Sequence, residues 1–394
     1  MKKRILIVGA GTAGLTVAAQ LVNKLGSNVD ITIFDPQETH YYQPMWTLVG
    51  AGVFNFDQSS KPNKNFIPEG VNWVKQKVES FQPDAKTITT QDGTVWTYEF
   101  LIVASGIQLD WHKIKGMPEA LKAEGVCSNY DPNGGASKTF KEVSKLGGGR
   151  AIFTQPALPI KCAGAPQKAA YMSDDYWRRS GVRDRIEVVF ANHGPRIFGV
   201  EKYKKALDQV IARKGINPHY SHNLIEVRTA TKEAVFERAD KEQVVMKYDL
   251  LHVVPPQSAP DYIKKSPLAD AAGWVEVDKF TLQHKRFADV FALGDCSSLP
   301  TSRTGAAVRK QAPVLVENLI HHINGRTLEA RYDGYTSCPL VTGVGSAIMA
   351  EFDYDGNPSE TFPFDQGKER WSMWMVKAHL LPSLYWHGML RGRA

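Results

Sequence analysis

The sequence predicts an α/β fold: two Rossmann-like dinucleotide-binding domains followed by a C-terminal amphipathic segment suited to a membrane surface. Three observations predict it. A short apolar strand near the N-terminus runs into a glycine-rich turn and then a helix. Apolar strands and helices keep alternating through the middle of the chain, the pattern of a parallel sheet covered by helices. After about residue 335 the composition shifts towards Trp, Met and Leu with basic residues between them. At 394 residues the chain is too long for one ordinary core. The expected division is 1–112 and 281–337 for a first, discontinuous domain, 113–280 for a second, and 338–394 for the C-terminal segment.

The elements follow in order. RILIVGAG is a buried strand ending in a turn, TAGLTVAAQLVNKL has helical apolar spacing with Gly26 as a stop, and VDITIFD (29–35) is the next strand. Together they make a βαβ unit, which implies a parallel sheet. VNWVKQKV, KTITT and TVWTYEFLIVA are strand-like runs broken by Asp-Gly and Pro-Asp turns. KLGGGR opens a second unit containing AIFTQ, the strand IEVVFAN (186–192), and the helix EKYKKALDQVIARKG stopped by Gly215. LIEVRTATKEAVFE alternates like a hairpin. FADVFALGDC returns to a buried strand, and RKQAPVLVENLIHHING to a helix ended by Gly325. His321 and His322 suit the C-terminal end of that helix better than a metal site.

Composition narrows the function classes. The apolar fraction of 43% fits a folded chain. Lys and Arg number 48 against 41 Asp and Glu, a net charge of +7 that suits anionic substrates or an anionic membrane surface. With no basic run and no RNA-binding signature, a nucleic-acid partner is not expected. The four cysteines, Cys127, Cys162, Cys296 and Cys338, include no CxxC pair, which argues against zinc and points to a reducing compartment. Cys127 and Cys296 read as small buried apolar residues. The basic, apolar N-terminus imitates a secretory signal, but its glycine spacing and the following strand argue otherwise. No run of 18 apolar residues is present, so no transmembrane helix is expected.

GAGTAG places Gly9, Gly11 and Gly14 in the G-x-G-x-x-G pattern, with Ala13 in the same turn. The glycines permit a tight turn, close approach of backbone N–H groups to a pyrophosphate, and close helix–strand packing. Asp35 at the end of the next strand is placed to bond ribose hydroxyls, or is a turn residue. Two later stretches favour FAD over NAD. IVASG, ending in Ala104, Ser105 and Gly106, is a close-packed return strand. FALGDC puts Gly294 and Asp295 at a strand end, where a carboxylate can bond ribityl-side hydroxyls. Gly305 can begin a helix whose positive end faces the flavin ring.

GAGTAG, IVASG and FALGDC together resemble the two-dinucleotide-binding-domain flavoproteins, over residues 4–320. That resemblance implies contact between Val78 and the adenine. One piece of the family pattern is missing: AIFTQ is followed by PALPIKCAGAP, without a second glycine fingerprint and with Pro156 and Pro159 stiffening the loop. A nicotinamide nucleotide therefore lacks its cradle, and a thiol in this loop becomes a candidate route for electrons.

LPIKCAGAPQK and YDGYTSCPLVTG resemble the two cysteine segments of the sulfide:quinone oxidoreductases, as do HYYQPMWTLVGAG, GDCSSLPTS, TFPFDQGKER and LPSLYWHGMLRG. The likeness is to the class containing the animal mitochondrial enzymes and covers nearly the whole chain. It implies that Cys162 and Cys338 form a redox-active pair, joined directly or through one extra sulfur, beside FAD. It implies that hydrogen sulfide attacks at Cys338, leaving a persulfide there and freeing Cys162 as a thiolate. Two electrons then pass through FAD to a quinone, ubiquinone or menaquinone. The sulfane sulfur leaves to glutathione, sulfite or further sulfide. It implies FAD contact for Gln43, otherwise a turn residue. Lys161 and Lys168, flanking Cys162, are placed to lower its thiol pKa or to sit on a solvated face.

In the C-terminal segment, Trp371, Trp374, Met375, Ala378 and Leu381 form one apolar helical face with Lys377 and His379 off it, ended by Pro382. The face suits an interfacial membrane helix or a cover for the protein's own core. Phe352, Tyr354 and TFPFDQ are candidate quinone-pocket walls. A peripheral position is expected on the cytoplasmic face of a bacterial inner membrane, or on the matrix face of the mitochondrial one. A homo-oligomer is compatible with the sequence.

Overall fold

The computed structural model describes residues 2–394. In chain order its main elements are β1 (Lys3–Val8), α1 (Thr12–Leu25), β2 (Val29–Phe34), β3 (Asn72–Val74), β4 (Phe100–Val103), β5 (Val126–Cys127), β6 (Gly149–Gln155), α2 (Ala165–Arg179), β7 (Ile186–Asn192), α3 (Glu201–Lys214), β8 (Ile216–Tyr220), β9 (Leu250–His252), β10 (Val290–Ala292), α4 (Gly305–Ile323), β11 (Thr336–Gly343) and β12 (Ser346–Phe352).

Two five-stranded parallel sheets organise them. The first has the order β10-β4-β1-β2-β3, so a strand from late in the chain completes the N-terminal sheet beside the IVASG return strand. The second has the order β5-β9-β6-β7-β8. Their strands are nearly continuous runs of buried Val, Ile, Leu and Phe, as parallel strands covered on both faces require. The alternating stretch expected as a hairpin is two strands of a three-stranded antiparallel meander, His222–Arg228, Glu233–Arg238 and Gln243–Lys247.

Local signals account for the helix boundaries. Helix α3 ends where Gly215 takes the left-handed conformation, φ 60°. Helix α4 begins at Gly305 because the Thr304 side chain accepts from the Ala307 N–H, an N-cap the sequence reading did not name. Strands β11 and β12 pair antiparallel, with every residue of β11 buried.

The C-terminal segment differs from expectation in two respects. Pro382 does not end the helix: helical backbone continues from Trp371 to Arg391 through two π-helical turns, Val376–Leu380 and Leu384–Gly388. Lys377 is not off the apolar face: it follows Met373 and Trp374 by one helical turn, shares their buried side and is 3% exposed. Trp374 and Ala378 are buried, while Trp371 is 66% exposed. No helix of the described residues is long and apolar enough to cross a membrane.

Candidate functional site

The glycine turn after β1 is built by close approach. A Cβ at Gly9, whose φ is 105°, would lie 2.5 Å from the Ala104 carbonyl oxygen, and one at Gly14 would lie 1.8 Å from the Gly9 oxygen. The turn is thus locked against both the return strand and its own helix. Ala13 and Gly294 meet from opposite sides: a Cβ on Gly294 would sit 3.2 Å from the Ala13 methyl. By contrast, Gly11, Gly106 and Gly305 face open space. Their backbones rim a cleft between the start of α1, the end of β4 and the start of α4. The Ser105 hydroxyl beside it is buried and unpartnered.

Asp35 accepts from the Ala10 N–H at 2.7 Å and the Gln37 N–H at 2.8 Å. Burial raises its carboxyl pKa, against the pull of those two N–H groups. The Asp35 N–H donates to the Val74 carbonyl, which brings the chain just before Val78, itself buried, to the same end of the cleft. At the other end the Gly294 N–H donates to Gln311 Oε1, and Arg303 donates from Nε to the Asp295 carbonyl while stacking 3.9 Å above the Trp274 ring. Burial raises the Asp295 carboxyl pKa, opposed by Arg303 and Lys161. Open glycine backbones, a helix N-terminus at each end and the unpartnered Ser105 hydroxyl fit a dinucleotide.

The thiols stand next to this cleft. Cys162 lies in the loop between β6 and α2, and Cys338 lies on β11; they are 176 residues apart, yet their sulfurs are separated by 3.7 Å. The loop is held rigidly. The Cys162 N–H donates to the Arg303 carbonyl at 2.7 Å, the Lys161 N–H to Gln257 Oε1 at 2.9 Å, and the Ala165 N–H to the Cys162 carbonyl. These N–H groups are spent inside the protein, so the loop offers no phosphate cradle of the kind a nicotinamide nucleotide needs. Cys162 has φ 50°, a left-handed conformation rare for a residue with a Cβ, and it turns the thiol towards Cys338.

Lys168, 2% exposed on α2, sits under both sulfurs, with Nζ 3.3 Å from Cys162 and 3.9 Å from Cys338. It also donates to the Pro339 carbonyl at 3.2 Å. The hydrogen bond from Cys338 and, against burial, the Lys168 and Lys377 charges hold the Cys162 thiol well below the usual range. The same hydrogen bond and burial push Cys338 well above it. The pair therefore holds one thiolate, at Cys162, and one thiol, at Cys338. Two thiolates this close would repel, and the lysine favours the nearer sulfur. Burial of Lys168 works against its charge, but the two sulfurs keep its pKa above the ordinary value.

Lys161 departs from its expected role. It does not face the sulfurs; its Nζ lies 2.6 Å from Gln43 Oε1, between the rings of Trp46 and Tyr130. Lys377 supplies a second charge near the sulfurs instead, while donating to the Pro44 carbonyl at 2.8 Å. Burial, reinforced by Lys168, lowers its pKa to about 7. A lysine inside a Trp- and Met-rich stripe was the sequence signal for it. Gly164, His40 and Tyr385 were also missed. Cys127 and Cys296 are fully buried. Among the candidate pocket walls, Phe362 and Phe364 stack at 5.4 Å within the cluster containing Met373 and Trp374. Phe352 packs on Phe198, and Tyr354 on Tyr332 and Phe280.

Two parallel sheets, a dinucleotide cleft and an adjacent cysteine pair define a class: residues 3–314 match the pyridine nucleotide-disulphide oxidoreductase family, and the chain belongs to it. FAD is the cofactor of these proteins, and the cleft fits it. The mitochondrial sulfide:quinone oxidoreductase of Mus musculus is 47% identical over 390 residues, 98% of this chain and 86% of the mouse protein. That of Dictyostelium discoideum is 47% identical over 392 residues, 99% of this chain and 86% of its own length. The solved structure of the sulfide:quinone oxidoreductase from Aquifex aeolicus superposes with a TM-score of 0.85 at 19% identity, covering 99% of this chain and 92% of that one, and shares the fold. The chain is a member of the sulfide:quinone oxidoreductases.

Proposed function

We propose that the protein oxidises hydrogen sulfide to sulfane sulfur and passes two electrons to a membrane quinone, with Cys162 and Cys338 as the sulfur-handling pair. The observation that carries this reading is the meeting of the two distant thiols at 3.7 Å over a buried lysine, beside the FAD cleft.

In the oxidised state the cysteines are joined, directly or through one bridging sulfur. Hydrosulfide attacks the sulfur on the Cys338 side, because the thiol of lower pKa is the better leaving group and that thiol is Cys162. For the direct bond, the Cys338–Cys162 sulfur bond breaks, a sulfur–sulfur bond forms to the incoming sulfide, and the products are a Cys338 persulfide and a Cys162 thiolate. Lys168 stabilises the departing charge at 3.3 Å. A second sulfur anion, such as glutathione thiolate, sulfite or sulfide, takes the outer sulfur and leaves the Cys338 thiol. Reoxidation of the two thiols releases an electron pair; bound FAD supplies the acceptance of that pair and its transfer to the quinone. Gly9, Gly11, Ala13, Gly14, Asp35, Gln43, Val78, Ala104, Ser105, Gly106, Gly294, Asp295 and Gly305 line or shape the FAD cleft in this reading.

Exposed Trp371 and Leu380 on the C-terminal segment, with Val344 on the adjacent hairpin tip, support peripheral docking on a membrane from which quinone enters. The test is sulfide-dependent reduction of a soluble quinone. Cys162→Ser and Cys338→Ser each lower the rate at least about a hundredfold while FAD stays bound; near-normal turnover in either variant defeats the two-thiol scheme.

A further inference from the structure

The three lysines around the Cys162 loop are of two kinds. Lys168 and Lys377 act on the sulfurs. Lys161, although adjacent to Cys162 in the chain, is turned the other way, and the carboxylate that supports its charge is Asp295. Its position is fixed, unlike that of a solvated surface lysine. The backbone N–H is held by Gln257 and the carbonyl accepts from the Tyr130 hydroxyl at 3.2 Å. The side chain passes between the Trp46 and Tyr130 rings, with Nζ 5.7 Å from each centroid. Among the described residues, its one polar side-chain contact is the neutral amide oxygen of Gln43. An ammonium has three N–H donors, so two remain to be placed. A half-buried cation resting on one amide is a costly arrangement unless an anion or a strong acceptor completes it. Burial accordingly lowers its pKa to about 8, with Asp295 pulling the other way. Gln43, after β2, and Asp295, after β10, come from distant parts of the chain, and both belong to the set assigned above to FAD. The place where Lys161 directs its charge is therefore the cofactor side of the thiol loop.

We propose that Lys161 is an electrostatic contact of the flavin: its ammonium donates to the polar edge of the isoalloxazine and stabilises the negative charge gained on two-electron reduction. This rests on FAD occupying the cleft between Gln43, Cys162 and Asp295. The consequence is a division of labour. Lys168 and Lys377 hold the electron-rich sulfur, and Lys161 makes the acceptor more oxidising, so the electron pair moves away from the loop. A positive charge at the flavin is a general lever on its potential.

The experiment uses the FAD-loaded full chain with Lys161→Met and Lys161→Arg, and measures the flavin reduction potential by equilibration with a reference dye. FAD content and the sulfide KM are measured in parallel. Lys161→Met keeps FAD at one per chain, and its two-electron potential falls by about 30 mV or more, a tenfold change in equilibrium constant. Lys161→Arg keeps most of the original potential because the charge is retained. Should the Met variant lose FAD, Lys161→Gln, which keeps a polar end on a similar stem, gives the same reading. An unchanged potential in an FAD-loaded uncharged variant overturns the proposal. An unchanged potential with a raised sulfide KM assigns Lys161 to the incoming anion instead and likewise overturns it. Wild-type protein that holds no FAD overturns the functional reading beneath it, a result separable from the other two.

Discussion

At Cys338 the controlling dimension is a side chain that Gly164 lacks. A Cβ there would lie 2.5 Å from the Cys338 sulfur and 2.6 Å from Leu340 Cδ2. The first turn of α2 can therefore press against the thiol pair, with the positive end of the helix beside the sulfurs. Gly164→Ala forces the sulfur off its line to Cys162, at about 1–3 kcal/mol of overpacking. Sulfide-dependent turnover is expected to fall at least about tenfold with FAD absorbance unchanged; full activity would show that the sulfurs need less room than their contacts imply. The two cysteines were legible from the sequence because their flanking segments carry a family likeness. Gly164 was not, because its importance depends on a strand that begins more than 170 residues later. Lys161 misled for the opposite reason: chain adjacency to Cys162 suggested a sulfur contact, but the left-handed turn at Cys162 sends the two side chains apart.

At the scale of one element, the C-terminal segment has an inward and an outward face. Inward, the Tyr385 hydroxyl lies 2.7 Å from Thr12 Oγ1, in the first turn of α1, and 2.5 Å from His40 Nε2. The Tyr42 ring packs 4.5 Å from that of Tyr385. Burial lowers the His40 pKa from 6.5 to about 4. A histidine buried neutral binds protons more readily once unfolded, so it costs stability as pH falls from about 6.5 to about 4 and nothing above that window. His252, also at about 4 through burial, adds to the same effect from the second domain. Amide protection factors in the C-terminal segment, with exchange rates corrected for their intrinsic pH dependence, are therefore expected to fall as pH drops from 6.5 to 4. His40→Gln should flatten that dependence by about 1–3 kcal/mol of local stability; an unaltered pH profile would remove His40 as the cause. Outward, Trp371 and Leu380 are 66% and 57% exposed. Trp371→Ser with Leu380→Ser should weaken binding to anionic vesicles about tenfold or more while soluble-quinone activity stays intact; unchanged sedimentation with vesicles would contradict the proposed docking through this face. The sequence stripe was read as one apolar face. The buried side instead runs through Met373, Trp374, Lys377 and Ala378 and leaves Trp371 outside, an offset set by what the helix packs against rather than by its own pattern.

Across the whole molecule, the βαβ start, the return of a late strand to the N-terminal sheet and the second parallel sheet follow from patterns the sequence displays openly. Short buried strands bounded by glycine turns, with helices between them, leave few alternatives. What could not be read is how the parts meet. The loop at 156–164 binds the segment before α4 through the Arg303 carbonyl. The helix from Trp371 delivers Lys377 to the sulfurs, and β11 carries Cys338 to Cys162. These are contacts of high sequence separation, and each depends on both sheets being in place. Their joint result is a flavin cleft whose neighbour is a thiol pair.

That arrangement is tested most directly by the absorbance of the bound flavin under strict exclusion of oxygen. Sulfide, added at one to a few equivalents, is predicted to bleach the oxidised flavin band, and NADH at far higher concentration is predicted to leave it intact. Bleaching by NADH with no response to sulfide would contradict the account.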